Sequence, residues 1–238
     1  MLLTITEEGG SLMTMSKKGV SVVMRSKNEE RWIGHAIQSV IERIENPEII
    51  IIDNNSNDST RTIAQSFKAD PDRENNGNYA DLKILEITDY SPGKALNLGI
   101  QNSTFDYILI ISSHCVLTQL NLEEHINDLK NHDGIFGNQI PVWEGKKITK
   151  RYLWNHFGDE KVEKMFSEME GRYFFHNALS FFKKSTLIKR PFDENLVGKE
   201  DRYWARDVIN SGGSTLYTPS MEALHHYTDN GNTWKGIG

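Results

Sequence analysis

The chain has 238 residues, of which 37% are hydrophobic and 25% charged, and this composition suits one globular α/β domain. Its net charge is −6 and its basic residues are scattered, which argues against a protein that binds nucleic acid. A single cysteine excludes an internal disulfide, and no apolar run approaches the roughly 18 residues of a membrane span, so we expect a cytoplasmic protein.

The first half alternates between strand and helix. Residues 1–19 carry acidic residues before any apolar run, so we expect a disordered leader or an added segment there. Runs rich in β-branched residues predict strands, and helical spacing of apolar residues predicts helices. In chain order these are strand 20–26, helix 28–44 with Asn28 as its N-cap, strand 47–55, helix 56–67, a polar loop 68–81, strand 82–89, helix 91–102, strand 107–114 and helix 121–131. Such alternation is typical of βαβ units around a largely parallel sheet.

The second half is less regular. It is predicted to contain strand 134–143, a charged helix 146–171, a strand-like aromatic stretch 172–185, a helix 199–213 that ends at two glycines, and strand 214–221. Strands and helices still alternate here, although less regularly, which also fits an α/β fold. We expect a single domain over residues 20–238.

Polar residues follow three of the predicted strands. They are Arg25–Asn28, Asp53–Asn55 and Ser112–His114. Ligands of parallel sheets bind at the carboxyl ends of the strands, so these three turns predict one binding site.

Four segments, in this order, resemble the inverting glycosyltransferases of family 2, which have the GT-A fold. They read VVMRSKNEERWI (22–33), IIIIDNNSNDST (49–60), GKALNLGI (93–100) and GKEDRYWARDVINSGG (198–213). The resemblance covers about residues 20–227. It implies a GT-A-type, Rossmann-like, mostly parallel sheet flanked by helices, with a nucleotide-binding half at 20–120 and an acceptor-binding half at 121–238. It also implies transfer of a sugar from a nucleotide-sugar donor to a hydroxyl of a glycan or lipid-linked saccharide, with inversion.

The resemblance implies that Asp53 and Asn54 contact the base or ribose of the donor. A carboxylate can only accept, which suits the N3–H of uracil or thymine, whereas an amide both donates and accepts. The base therefore stays open among UDP, dTDP, GDP and CMP, and a simple Asx turn is the alternative interpretation. The remaining candidate donor contacts are Arg25, Lys27, Asn28, Glu29, Lys94, Ser112, Ser113 and His114. Arg25 and Lys94 could neutralise the diphosphate, or they are solvated surface charges.

The family carries an Asp-x-Asp pair where this chain has Ser112-Ser113-His114. In the family that pair binds a divalent metal, which offsets the charge on the departing diphosphate. One interpretation is a metal, Mn²⁺ or Mg²⁺, held by His114 and by His226 or its neighbour His225. Imidazole suits Mn²⁺ or a later transition metal better than Mg²⁺. A second is a metal-independent enzyme in which His114, Arg25 or Lys94 stabilises the leaving group. A third is an inactive site kept for binding.

Inversion needs a base that takes the proton of the acceptor hydroxyl. The resemblance assigns this role to Asp201, with Glu200 orienting it or touching the acceptor. A helix-opening acidic pair is the plainer alternative. Candidate acceptor contacts are His176, Asn177 and Trp204, of which Trp204 is alternatively a core residue.

Two classes of function remain after these observations. The leading hypothesis is an inverting, hexosyltransferase-type glycosyltransferase, and the alternative is a non-catalytic module that binds sugar nucleotide or carbohydrate on the same fold. A nucleotidyltransferase is disfavoured because RSKNEERW (25–32) lacks a glycine-rich loop. Peripheral attachment to a membrane and the oligomeric state stay open.

Overall fold

The computed structural model describes residues 19–69, 79–147, 157–168 and 170–228. Residues 1–18 of the predicted leader, most of the loop 68–81 and part of the predicted helix 146–171 lie outside these ranges. The strands are β1 (Val20–Ser26), β2 (Glu48–Asp53), β3 (Asp81–Glu86), β4 (Tyr107–Ile111), β5 (Cys115–Gln119), β6 (Gly134–Trp143), β7 (Lys146–Lys147), β8 (Val162–Glu163), β9 (Phe166–Ser167), β10 (Arg172–Tyr173), β11 (Leu179–Lys183) and β12 (Thr215–His226). The helices are α1 (Ile33–Ile41), α2 (Thr60–Gln65), α3 (Pro92–Gln101), α4 (Leu122–Asp128), α5 (Lys184–Lys189) and α6 (Glu200–Asn210).

The central sheet runs β3-β2-β1-β4-β11-β6-β12-β5, with β7 added to β6 and β8 to β12. Strands β3, β2, β1 and β4 are mutually parallel, as the βαβ pattern predicts. Beyond them β11 and β5 run antiparallel to their neighbours, while β6 and β12 are parallel to each other. The sheet is therefore mixed but mostly parallel, and the fold class expected from the sequence is confirmed.

Both faces of the sheet are covered by apolar side chains. One face packs α1 against residues of β1, β2 and β4, because Ile33, Ala36, Ile37 and Val40 form an apolar stripe with helical spacing. On the other face an aromatic cluster surrounds Trp204 of α6, with Phe175, Phe182 and Phe192 in contact. This second cluster fixes α6, and hence its first residues, against the sheet.

Three local predictions are corrected by the structure. Helix α1 begins at Ile33, with Trp32 as its N-cap, because Asn28 has φ +52° and belongs to the preceding turn. The helix predicted over 146–171 does not form in the described part, where β7, β8 and β9 lie. No strand was predicted at β5, which pairs with β12 and links the proposed nucleotide and acceptor halves a second time, besides the pairing of β4 with β11. The division at residue 120 stays a prediction.

Candidate functional site

The three polar strand ends meet at one edge of the sheet. The backbone N–H of Asn54 donates to the carbonyl of Ser26 at 2.8 Å, joining the ends of β2 and β1. The Ser113 hydroxyl donates to the carbonyl of Arg25 at 2.9 Å, joining the turn after β4 to β1. Parallel strands leave their carboxyl ends on the same side, which is why residues far apart in sequence converge here.

The turn after β2 is built around Asp53. Its carboxylate is buried and accepts from the Ser56 backbone N–H at 2.9 Å and from the Ser56 hydroxyl at 2.5 Å. The Oδ1 of Asn28 in turn accepts from the backbone N–H of Asn57 at 2.9 Å. Asp53 and Asn28 therefore shape the two turns, and Asn54, which follows Asp53 in the chain, is half-buried.

His114 lies at the centre of a chain of polar side chains. Its Nδ1 is 3.0 Å from Oε1 of Glu29, and its Nε2 is 3.0 Å from Nε2 of His225. The Nδ1 of His225 lies 2.5 Å from Oε1 of Gln139 on β6. Burial, reinforced by the neighbouring imidazoles, lowers the pKa of His225 well below its usual value, so its ring is neutral. Glu29 is buried, and its carboxylate contacts His114.

The second imidazole beside His114 is His225, and not its neighbour His226. Successive side chains of a strand point to opposite faces, so only one of the two can face His114. The ring of His226 instead stacks on Trp32, with centroids 3.8 Å apart, while its backbone N–H donates to the carbonyl of His114. The structure thus brings His225, and not His226, next to His114, and a metal site at this place stays a prediction.

Glu200 forms an ion pair with Arg25 across the site. Nη1 of Arg25 lies 3.0 Å from Oε1 of Glu200. The Glu200 side chain is 5% exposed and the Arg25 side chain is 23% exposed. Burial raises the pKa of Glu200, an effect that Arg25 opposes. Burial alone would lower the pKa of Arg25, but the carboxylate outweighs it and the pKa is raised. Arg25 is thus bound to the acidic pair of α6.

Asp201 occupies the first turn of α6, where backbone N–H groups and the helix dipole favour a carboxylate. Its Oδ2 accepts from the backbone N–H of Asn177 at 3.2 Å and from Nη1 of Arg202 at 2.9 Å. The guanidinium of Arg202 lies 4.4 Å above the ring of Phe174, and its Nε is 3.6 Å from Glu170. The carboxylate of Asp201 is therefore held from two sides.

Two of the three candidate acceptor contacts are enclosed by other groups. His176 is buried, its Nε2–H donates to the carbonyl of Gly137 at 2.9 Å, and burial lowers its pKa to about 3. Trp204 is 3% exposed and donates its indole N–H to the carbonyl of Arg190, so it is a core residue, the alternative left open by the sequence. Asn177 lies next to Asp201, and its buried Nδ2 has no hydrogen-bond partner in the part of the chain that is described.

Three predicted donor contacts, Lys27, Lys94 and Ser112, are exposed or contact other groups. Lys27 is exposed in the turn after β1. Lys94, in the first turn of α3, forms an ion pair with Asp89. Ser112 donates its backbone N–H to the carbonyl of Ala178. Within the described residues, none of these three is seen to contact Asp201 or His225.

The predicted site omitted Gln139, Arg202 and Glu170, and it named His225 only as an alternative to His226. Arg202 directly follows the acidic pair, so its position in sequence could have suggested it. Gln139 and Glu170 carry no local signal, because they reach the site through the pairing of β6 with β12 and through the segment before β10.

A mixed, mostly parallel sheet with polar turns after β1, β2 and β4 and an acidic pair opening a late helix defines the GT-A class of glycosyltransferases. The chain belongs to glycosyl transferase family 2, whose profile matches residues 21–197.

Named relatives agree with this class. A β-1,3-glucosyltransferase of Campylobacter jejuni, named for GalNAc(5)-diNAcBac-PP-undecaprenol, is 25% identical over 78% of this chain and 58% of its own length. Staphylococcus aureus TarS 1–349 in complex with UDP-GlcNAc superposes with a TM-score of 0.66 at 16% identity, over 92% of this chain and 61% of that one. GalNAc-T7 with UDP, GalNAc and Mn²⁺ superposes with a TM-score of 0.65 at 15% identity, over 90% and 44%. The chain spans about half the length of the curated relatives it matches.

A separate acidic group lies on α4, away from the strand ends. Glu124, His125 and Asp128 bring potential metal-ligating atoms within 4.8 Å of one another. The ammonium of Lys161 is 2.9 Å from Glu124 and 2.6 Å from Asp128, so it supplies the positive charge there. No helix of the described ranges combines the length and the apolar character that crossing a bilayer demands.

Proposed function

We propose that the chain transfers a sugar, of the hexosyl type, from a nucleotide-sugar donor to a hydroxyl acceptor with inversion, and that Asp201 is the general base. The observation that carries this proposal is the placement of Asp201, a buried carboxylate in the first turn of α6 that is oriented by Asn177 and Arg202. A base must be held in a fixed orientation to take a proton as the bond forms.

In this reaction the acceptor hydroxyl oxygen attacks the anomeric carbon and its proton passes to Asp201. The bond between that carbon and the diphosphate oxygen breaks on the opposite face, which inverts the configuration. Glu200 is a positioning residue in this scheme, since its ion pair with Arg25 fixes the start of α6 against the end of β1.

The donor nucleotide is proposed to lie over the turns after β1, β2 and β4. Asn54 supplies an amide that can both donate to and accept from a base, and Arg25 carries a positive charge at the edge of the site. Complexes of structural relatives with UDP-GlcNAc and with UDP, GalNAc and Mn²⁺ support a nucleotide-sugar donor. The base and sugar are left to experiment.

The residues present fit a divalent metal ion. His114 and His225 bring two imidazole nitrogens within 3.0 Å of each other, and His225 is kept neutral, as a ligand must be. These two imidazoles would hold the ion together with diphosphate oxygens of the donor. When bound, such an ion offsets negative charge on the leaving nucleoside diphosphate.

A glycan or lipid-linked saccharide is the proposed acceptor. The Campylobacter relative is named for a polyprenyl-diphosphate-linked oligosaccharide, and a Bacillus subtilis relative for minor teichoic acid biosynthesis. The first name supports a lipid-linked saccharide as the acceptor class, and the second supports a role in polymer biosynthesis. We propose a cytoplasmic location, since a single, buried cysteine suits a reducing compartment.

A non-catalytic module that binds sugar nucleotide is the second candidate. It is favoured by one observation, the replacement of family carboxylates by Ser112 and His114 after β4. Such a module binds the donor and does not turn it over.

A donor panel separates the two candidates. UDP, dTDP, GDP and CMP are each tested by thermal shift with Mn²⁺ and with EDTA, and sugar donors of the stabilising nucleotide are then assayed for release of free nucleotide. A ligand at 100 times its dissociation constant adds about 2.7 kcal/mol of stability, which is readily visible. We expect one nucleotide to stabilise and its sugar donor to be consumed. Binding without consumption would favour the second candidate, and no binding by any nucleotide would refute both.

A further inference from the structure

The acidic end of the site contains a buried carboxylate that has no role in the transfer as described so far. Glu170 has a side chain that is 11% exposed, and it lies in the turn between β9 and β10. The backbone N–H of Gly171, which has φ +62°, donates to the carbonyl of Ser167 at 2.8 Å and closes this turn. Because β10 packs on α6, the turn brings Glu170 beside the helix that carries Asp201.

The guanidinium of Arg202 contacts the carboxylates of both Asp201 and Glu170. Its Nη1 donates to Oδ2 of Asp201 at 2.9 Å, and its Nε lies 3.6 Å from Oε1 of Glu170. The ring of Phe174 lies 4.4 Å from the guanidinium carbon, and the Arg202 side chain is 13% exposed. One largely buried positive charge is therefore shared by two negative charges.

The contact between Arg202 and Glu170 is an ion pair without a hydrogen bond. At 3.6 Å the two atoms are too far apart for a hydrogen bond, and Nε of Arg202 has no other hydrogen-bond partner among the described residues. Oε2 of Glu170 has none there either, and it lies 3.5 Å from Nε of Arg172. A buried carboxylate with such poor hydrogen bonding costs stability, which a neutral residue in the same turn would avoid. Its negative charge therefore points to a role other than folding.

An arginine next to a carboxylate favours the ionised form and makes that carboxylate a weaker base. A second carboxylate beside the same guanidinium opposes this effect, because it attracts the same positive charge. We propose that Glu170 is a positioning residue that acts on Asp201 through Arg202. It offsets the charge of the arginine, so that Arg202 orients Asp201 and the carboxylate stays basic enough to take a proton. This inference rests on the proposed function, in which Asp201 is the base.

Other titratable side chains surround the same carboxylate. They are Glu200 of α6, Arg25 of β1, His176 before β11 and Arg172 of β10. Glu200 and Arg25 compensate each other in an ion pair. Burial, reinforced by Arg202, lowers the pKa of His176 to about 3, so its ring is neutral above that pH. These four groups stay in place when Glu170 is replaced, and so a change in the behaviour of Asp201 reports the charge of Glu170.

The direct test needs no substrate. Carbon-13 NMR of the purified full chain follows its aspartate carboxyl groups as the pH is lowered, and the signal missing in Asp201→Asn belongs to Asp201. Glu170→Gln removes the charge and keeps the shape, so we expect Asp201 to titrate about 0.5 to 1 pH unit lower than in wild type. Arg202→Met removes the positive charge, so Asp201 should titrate about 1 pH unit higher.

Two control variants separate charge from packing. Glu170→Asp keeps the negative charge and should titrate close to wild type. Glu168→Gln makes the same chemical change as Glu170→Gln at an exposed residue nearby and should leave the titration of Asp201 unchanged. The inference is overturned if Asp201 titrates in Glu170→Gln at or above its wild-type pH, or if Glu170→Gln and Arg202→Met shift it in the same direction.

Measured activity distinguishes a failure of this inference from a failure of the proposed function. The acidic limb of the pH dependence of donor consumption should move down in Glu170→Gln and up in Arg202→Met, in step with the titration. Titrations that shift as expected in a chain that consumes no donor would support the effect of Glu170 and count against sugar transfer. Unshifted titrations in a chain that transfers sugar would overturn the inference and leave the proposed function intact.

Discussion

The two ends of the candidate site manage charge in opposite ways. At the start of α6, the carboxylates of Glu200 and Asp201 are compensated within the chain by Arg25 and Arg202. After β4, His114 lies between the buried, neutral His225 and the carboxylate of Glu29, and the proposed metal ion would bring positive charge from outside the chain. The proposed base stays in place throughout the catalytic cycle, so the positive charges beside it belong to the chain. The nucleoside diphosphate departs after each transfer, so the positive charge that it needs can be a cation that arrives together with the donor.

The largest effect is expected from replacing Asp201, one of the two carboxylates at the start of α6. Asp201→Asn removes the proposed proton acceptor and keeps the shape of the side chain. We expect sugar transfer to fall by about 10²- to 10⁴-fold, with nucleotide affinity unchanged, because the base acts only on the acceptor. Steady-state rates and titration calorimetry measure the two quantities.

Asp207→Asn, on the exposed face of the same helix, is the control and should transfer sugar at the wild-type rate. Wild-type turnover in Asp201→Asn would place the base elsewhere, and a parallel loss of nucleotide affinity would mean that the substitution disturbs the fold.

Breaking the ion pair of the acidic end should cost stability. Arg25→Met leaves the Glu200 carboxylate, whose side chain is 5% exposed, without its partner at 3.0 Å. We expect a loss of about 3 kcal/mol in the free energy of unfolding, measured in urea, because an unpaired buried charge is poorly solvated.

The double variant Arg25→Met with Glu200→Gln removes both charges and should recover at least half of that loss. If the double variant is no more stable than Arg25→Met, the cost comes from lost packing of the arginine and not from the uncompensated carboxylate.

Acidification should lower the free energy of unfolding through the buried His176. Burial lowers the pKa of His176 to about 3, against about 6.5 in the unfolded chain. Below pH 6.5 the unfolded chain binds a proton that the folded chain does not, so stability present above that pH is lost as the pH falls towards 3. The contribution is at most about 1.4 kcal/mol per pH unit.

The measurement compares the pH dependence of urea unfolding in wild type and His176→Gln, and the variant should have the shallower slope between pH 6.5 and 4. His35→Gln, at an exposed histidine of α1, should leave the slope unchanged. Equal slopes in all three proteins would show that His176 does not contribute.

The smallest expected effect concerns the backbone that presents the acidic pair. Lys199, the N-cap of α6, has φ +62°, a left-handed conformation that a side chain disfavours. Lys199→Gly should therefore raise the free energy of unfolding by about 0.5 kcal/mol in a urea titration. Lys183→Gly, at an N-cap with φ −76°, should lower it, because glycine there only adds disorder to the unfolded chain. The same sign for both would contradict the backbone argument.

Much of the first half could be predicted because its signals are local. Strand 20–26 was predicted with the bounds that the structure has, since a continuous apolar run rich in β-branched residues fits a buried strand. In the described part of 146–171 the expected helix does not form, because its charged residues are paired by other elements. Lys161 binds Asp128, and β8 adds to β12.

The sequence by itself determined the α/β class, the alternation of strands and helices in most of the first half, the polar strand ends and the acidic pair at residues 200–201. Only the tertiary structure decided that His225 and not His226 faces His114, that Gln139 contacts His225, and that Trp204 belongs to the core. Which face of β12 a residue occupies depends on strand register and on a bulge between Thr218 and Glu222. Register is fixed by packing across the whole sheet, and so no short stretch of sequence encodes it.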